Sequence, residues 1–168
     1  MPVELTVTKL EAAKRQLITA VTLYFNDADP VSIHSLVCAA HEILSELNKR
    51  RHNRAAIVSD NLIREEHKKK VRKKLREARN FFKHADKDPD GVLRFNPETN
   101  DFYLFDACEM YQLLTGEKLP HFISYRGWFN YKYPELLNVD TSQLIAQHYG
   151  DDKLQFLTDM LASSGRIK

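Results

Sequence analysis

Apolar residues recur along this chain at steps of three and four, the period of one buried helix face. Leu10, Ala13, Leu17, Ala20, Val21, Tyr24 and Phe25 predict a first helix from about Thr8 to Asn26. Asn26-Asp27-Ala28-Asp29 breaks it. Pro30 suits the first position of a second helix, with Asp29 as its cap. That helix runs to about Arg51 on a stripe of Ile33, Leu36, Val37, Ala40, Ile43, Leu44 and Leu47. Residues 52–60 read as a polar linker. A long third helix follows from about Asn61 to Ala85, capped by Asp60 or Ser59. Its narrow seam is Ile63, His67, Val71, Leu75, Ala78, Phe82 and Ala85. A seam that narrow suits a bundle or a dimer contact.

The pattern changes after Ala85. Asp88-Pro89-Asp90-Gly91 is a strong breaker. Residues 92–95 and 101–105 flank Asn96-Pro97-Glu98-Thr99-Asn100, which reads as a short hairpin or as a loop whose second arm enters a helix. A fourth helix is expected over about Phe105–Leu114, ended by Thr115-Gly116. A shorter element covers Leu119–Tyr131, and small helices at about 141–149 and 151–162 are separated by Gly150. The sequence thus predicts a single all-α domain over residues 1–168. Its up-down helical bundle of four to five main helices occupies about 8–115, and 116–168 form a helical extension.

Composition agrees with this. Gly (5) and Pro (6) are scarce, and 43% hydrophobic against 29% charged residues is an ordinary globular balance. No apolar run approaches the ~20 residues that span a bilayer. The N-terminal residues carry no secretory pattern. Cys38 and Cys108 form no CxxC and read as reduced thiols, so a cytoplasmic protein without membrane contact is expected. Net charge is only +2, yet the first 89 residues are net basic and the remainder net acidic. A local positive field attracts polyanions.

The candidate chemistry lies in the basic half, at Arg79-Asn80-Phe81-Phe82-Lys83-His84. A guanidinium grips phosphate through a planar fork of donors. An imidazole moves protons near neutral pH. Chance often supplies one Arg-x4-His spacing in a chain of this composition, so the weight rests on its placement. It sits at the end of a long seam helix, just after a cationic face. On that face Lys69, Arg72, Lys73 and Arg76 recur at i, i+3, i+4 and i+7. With Lys83 they form a candidate track for the phosphates of RNA, the alternative being a solvated helix face.

Two further groups have plain structural readings beside functional ones. His34, Cys38 and His41 recur at i, i+4 and i+7 and could bind zinc with Glu42 or Cys108, but neither CxxC nor HExxH is present. Packing is the preferred reading, with His34 as a candidate accessory to a phosphate site. Phe122, Tyr125, Trp128, Phe129, Tyr131 and Tyr133, with Arg126 among them, could stack bases, form a partner surface or pack a core. No glycine-rich phosphate loop occurs, and no cofactor or metal is expected.

An all-α bundle whose third helix ends in Arg-Asn-x-x-x-His resembles the HEPN superfamily. The resemblance covers roughly residues 8–115. It implies a homodimer in which two copies of the motif meet and cut RNA without a metal, the 2′-hydroxyl attacking the neighbouring phosphate. It implies that Arg79 stabilises the phosphorane charge, that His84 is general base or acid, and that Asn80 is the polar residue beside the arginine. A toxin or defence role is the corresponding expectation. The runner-up is a non-catalytic nucleotide- or protein-binding module, partnered by an antitoxin or a nucleotidyltransferase-like protein. A structural or metal-binding bundle around His34, Cys38 and His41 is the third reading.

Overall fold

The computed structural model describes residues 4–52, 77–84, 86–134 and 142–164. Every regular element among the described residues is helical. Helix α1, Lys9–Phe25, is capped by Thr8, whose hydroxyl oxygen accepts the Glu11 amide at 3.1 Å. Its Ala13, Leu17, Ala20, Val21 and Phe25 are fully buried, the stripe expected from spacing. Helix α2, Pro30–His52, begins at its proline, and Asp29 Oδ2 accepts the Ser32 amide at 2.7 Å. α1 and α2 make the most extensive helix pair, joined by the short turn through Asp27.

Residues 77–81 are helical, and the chain turns at 82–83, slightly before the end expected at Ala85. The seam positions Ile63, His67, Val71 and Leu75, and the cations Lys69, Arg72, Lys73 and Arg76, lie outside the described residues. Residues 91–96 are irregular, and no strand occurs among the described residues, so the loop form of the 92–105 region is adopted and the hairpin form is not. The reason is that Asn96 and Pro97 start a helical turn at once. The Thr99, Asn100 and Asp101 amides donate to the Asn96, Pro97 and Glu98 carbonyls. Helix α3 therefore runs Thr99–Thr115, six residues earlier than the apolar period indicates. It stops at Gly116, whose φ of 73° is left-handed and whose amide caps Gln112 at 2.8 Å.

α3 is buried on nearly every side, including its polar residues Asn100, Asp101 and Asp106. A helix buried all round is the centre of its domain. Helix α4, Pro120–Lys132, packs on it through Phe129, stacked on Phe105 at 4.2 Å between ring centroids. Helices α5, Ser142–Tyr149, and α6, Lys153–Ser164, close the fold. Phe156 of α6 meets Phe25 and Trp128, so one core runs from Ala13 to Leu157. Phe122, Tyr125, Trp128 and Phe129 belong to that core and are almost completely covered, which removes them as base-stacking or partner surfaces. Tyr131 and Tyr133 are half-buried against it, and Arg126 pairs with Glu109 at 3.4 Å. The unbroken aromatic run reflects enclosure by α1, α3 and α6 rather than a ligand. No described helix is long and apolar enough to cross a membrane.

Candidate active site

The Arg79–His84 segment is built from the inside outward. Phe82 points in and is its anchor. Its ring meets Phe95 edge-on at 5.3 Å and His34 at 5.6 Å, and His34 also meets Phe95 and Tyr103 at 5.0 and 5.5 Å. His34 is 0% exposed. The Asn100 amide nitrogen donates to the Pro30 carbonyl at 3.0 Å, which fixes the amide's orientation. Its oxygen must then accept, so the 2.8 Å contact makes His34 Nδ1 the protonated nitrogen. His34 Nε2 is left to accept from the Cys38 thiol at 3.4 Å.

Burial dominates the electrostatics of this interior. It pushes the His34 pKa below the usual histidine value, with Asn100 opposing and the Lys83 charge adding to the fall. It pushes the Cys38 thiol up to about 12. A neutral, fully covered imidazole cannot reach a phosphate, so His34 is not an accessory to an anion site. His41 is directed elsewhere, its Nε2 lying 2.8 Å from Asp106 Oδ2. Tyr103 lies between the two histidines, its ring 5.0 Å from His41. Among the described residues no group of three or more His, Cys, Asp or Glu is arranged to hold a metal ion.

Outside this anchor Arg79 parts from Asn80 and His84. The Arg79 guanidinium turns toward α2, where Nη1 lies 3.6 Å from Glu42 Oε2, and its charge reaches Cys38 and Tyr103. The Asn80 carbonyl accepts the Lys83 and His84 amides at 3.1 and 3.0 Å, which ends the helix and swings His84 outward. His84 is 47% exposed, with Nδ1 3.8 Å from Asp86 Oδ1. Lys83 is exposed. Among the described residues no hydrogen bond links Arg79 to His84 within one chain.

Asn80 and His84 open onto one solvent-facing hollow of about 350 Å³. Glu77, Phe81, Lys87, Asp88, Gly91, Val92 and Leu93 complete its wall. Asp88–Gly91 is a tight turn, closed by the Gly91 amide on the Asp88 carbonyl at 2.9 Å. Gly91 leaves room for a close approach, since a Cβ there would lie 2.9 Å from Asp88 Oδ2 and 3.1 Å from Phe81 Cε2 and would push both side chains aside. In the sequence Asp88-Pro89-Asp90-Gly91 reads only as a breaker. A turn this tight also folds the chain back on the preceding helix end, which is the signal that makes Lys87 and Asp88 neighbours of His84.

A second buried polar group lies next to Asn100 in the same first turn of α3. Asp101 accepts from Lys132 at 2.6 Å and from the Tyr133 hydroxyl at 2.8 Å, while its backbone carbonyl accepts from Tyr125 at 3.0 Å. Burial and the Asp101 carboxylate push the Tyr24 and Tyr133 phenols up. These groups tie α1, α3 and α4 together.

No family model matches the chain, and neither a curated protein nor a solved structure matches it significantly.

Proposed function

We propose that this chain is a metal-independent endoribonuclease of HEPN type that works as a homodimer in the cytosol. The observation that carries the reading is the hollow onto which Asn80 and His84 both open, with Lys87 beside them. A proton-transfer group, an amide and a cation there face solvent rather than core. In the proposed reaction the 2′-hydroxyl of RNA loses its proton to a base and attacks the adjacent phosphorus. The bond to the 5′-oxygen breaks, that oxygen takes a proton from an acid, and a 2′,3′-cyclic phosphate and a 5′-hydroxyl result. His84 serves as base or acid. Arg79 offers charge to the phosphorane. Because Arg79 and His84 diverge within one chain, the reading requires the pair to be completed by a second copy. Lys83, with Lys69, Arg72, Lys73 and Arg76, would hold the strand through its phosphates without reading sequence.

The test is cleavage of a labelled RNA by the purified dimer in excess chelator. His84→Ala should lower the rate at least about 100-fold, the usual scale of general acid–base help, while the dimer persists. Cleavage that survives this change, or that needs a divalent metal, overturns the proposal. A second reading, a non-catalytic nucleotide- or protein-binding module, draws on the Arg79–Glu42 contact at 3.6 Å. There the carboxylate neutralises the arginine that a phosphate would need.

A further inference from the structure

We infer that the hollow beside His84 is a guanine-reading subsite. The inference rests on the ribonuclease reading only in assigning the base to an RNA strand. At about 350 Å³ the hollow is near the small end of the ~300–1,000 Å³ of small-molecule pockets, a size suited to one nucleobase and its sugar. Its wall has the two features that single-stranded RNA recognition uses, an aromatic face and hydrogen-bonding groups for a base edge.

The aromatic face is Phe81. Its ring is held edge-on by Phe82 at 5.8 Å and also lines the hollow. Val92, which lines the same hollow, is 93% exposed. An apolar side chain so bare gains cover from a base seated against Phe81.

The edge-reading group is Asp88. Its carboxylate makes no hydrogen bond or ion pair within the described residues, and it lies beside the Phe81 ring edge across the space left by Gly91. A carboxylate only accepts, and it accepts two parallel N–H bonds best. Among the four bases only guanine offers two adjacent donors, N1–H and the 2-amino group. The neighbouring O6 of guanine needs a donor, and Lys87 lines the same hollow. Adenine and cytosine each set a ring-nitrogen lone pair against the carboxylate. Uracil sets its single N–H between two carbonyls that Asp88 repels. Gly91 keeps the space between acceptor and ring open, and even a methyl group there would fill it.

The experiment measures equilibrium binding of short fluorescent RNA oligonucleotides to the full-length protein. They differ only in one central base and carry a 2′-deoxy sugar at that position, so that the chain cannot be cut there. The guanine oligonucleotide should bind about tenfold tighter than the adenine, cytosine or uracil ones, the lower range for a bidentate base contact. Asp88→Asn and Gly91→Ala should each erase the preference while the melting temperature stays within a few degrees. Equal binding of all four, or a preference untouched by Asp88→Asn, overturns the inference. Free guanosine 3′-monophosphate binding as tightly as the oligonucleotide overturns the assignment to a strand. Guanine preference without cleavage of the all-ribose oligonucleotide supports the subsite and removes the nuclease reading instead.

Discussion

Replacing His34 by phenylalanine tests whether the interior that carries the Arg79–His84 segment is held by a neutral, hydrogen-bonded imidazole. The benzyl ring keeps the aromatic contacts with Phe82, Phe95 and Tyr103. It removes the donor to Asn100 Oδ1 and the acceptor for the Cys38 thiol. An orphaned buried amide oxygen costs about 1–3 kcal/mol. Forcing a larger ring into a site with no exposed surface costs a further ~1 kcal/mol. Urea denaturation near neutral pH should therefore show a loss of about 2–4 kcal/mol. The loss should also depend on pH. Burial lowers the folded pKa of His34, whereas an unfolded histidine titrates near about 6.5. Above that value both states are neutral and the imidazole contributes fully. Below it the unfolded chain binds a proton that the folded chain refuses, so wild-type stability falls with pH. The phenylalanine variant lacks this loss, and His121, also lowered by burial, acts alike in both proteins. The gap between the two should narrow from about pH 7.5 to about pH 5.5. A neutral-pH gap below about 0.5 kcal/mol, the range of inert surface changes, would refute the hydrogen-bond account. A gap that stays constant or widens in acid would refute the neutral imidazole.

Two further outcomes follow from the buried groups. Asp101→Asn should cost about 2 kcal/mol, less than the ~3–5 kcal/mol of a fully buried pair because Lys132 is 38% exposed and can turn to water; thermal denaturation should show a fall of about 4–8 °C, and an unchanged midpoint would contradict the role given to this carboxylate. Cys38 and Cys108 should stay unmodified by a thiol reagent in the native protein near pH 8, because burial raises both thiols, and both should react once urea is added. Rapid native labelling of either would show that the interior opens.

Much of the bundle was legible because one signal repeated. Ala13, Leu17, Ala20, Val21 and Phe25 stand at helical steps, and Thr8, Asp29, Pro30 and Gly116 punctuate the ends as their chemistry requires. The start of α3 was hidden because its first turn buries Asn100 and Asp101, polar residues that a hydrophobic period scores as surface. Tertiary partners justify them, and those partners lie 66 residues upstream at His34 and 31 residues downstream at Lys132. The aromatic residues of α4 take the core reading that their spacing favoured over base stacking, because α1, α3 and α6 cover the rings. Of the residues placed in the proposed site, Arg79, Asn80, His84 and the cations Lys69, Arg72, Lys73, Arg76 and Lys83 were nameable from the sequence. The contribution of Lys87, Asp88 and Gly91 depends on a turn folding back, which is geometry rather than spacing.

The contact between His34 and Asn100 joins positions 66 residues apart and acts as the clasp of a ring of chain. Everything that faces the hollow lies inside that ring, and none of it supplies the clasp. Closing a flexible ring costs free energy that grows only logarithmically with its length, about 0.6 kcal/mol per doubling. Insertions, deletions and substitutions around residues 84–94 should thus be tolerated by a bundle whose core lies elsewhere. The part of the protein assigned to recognition is in this sense a replaceable insert, free to drift toward new ligands while the scaffold that holds it stays the same.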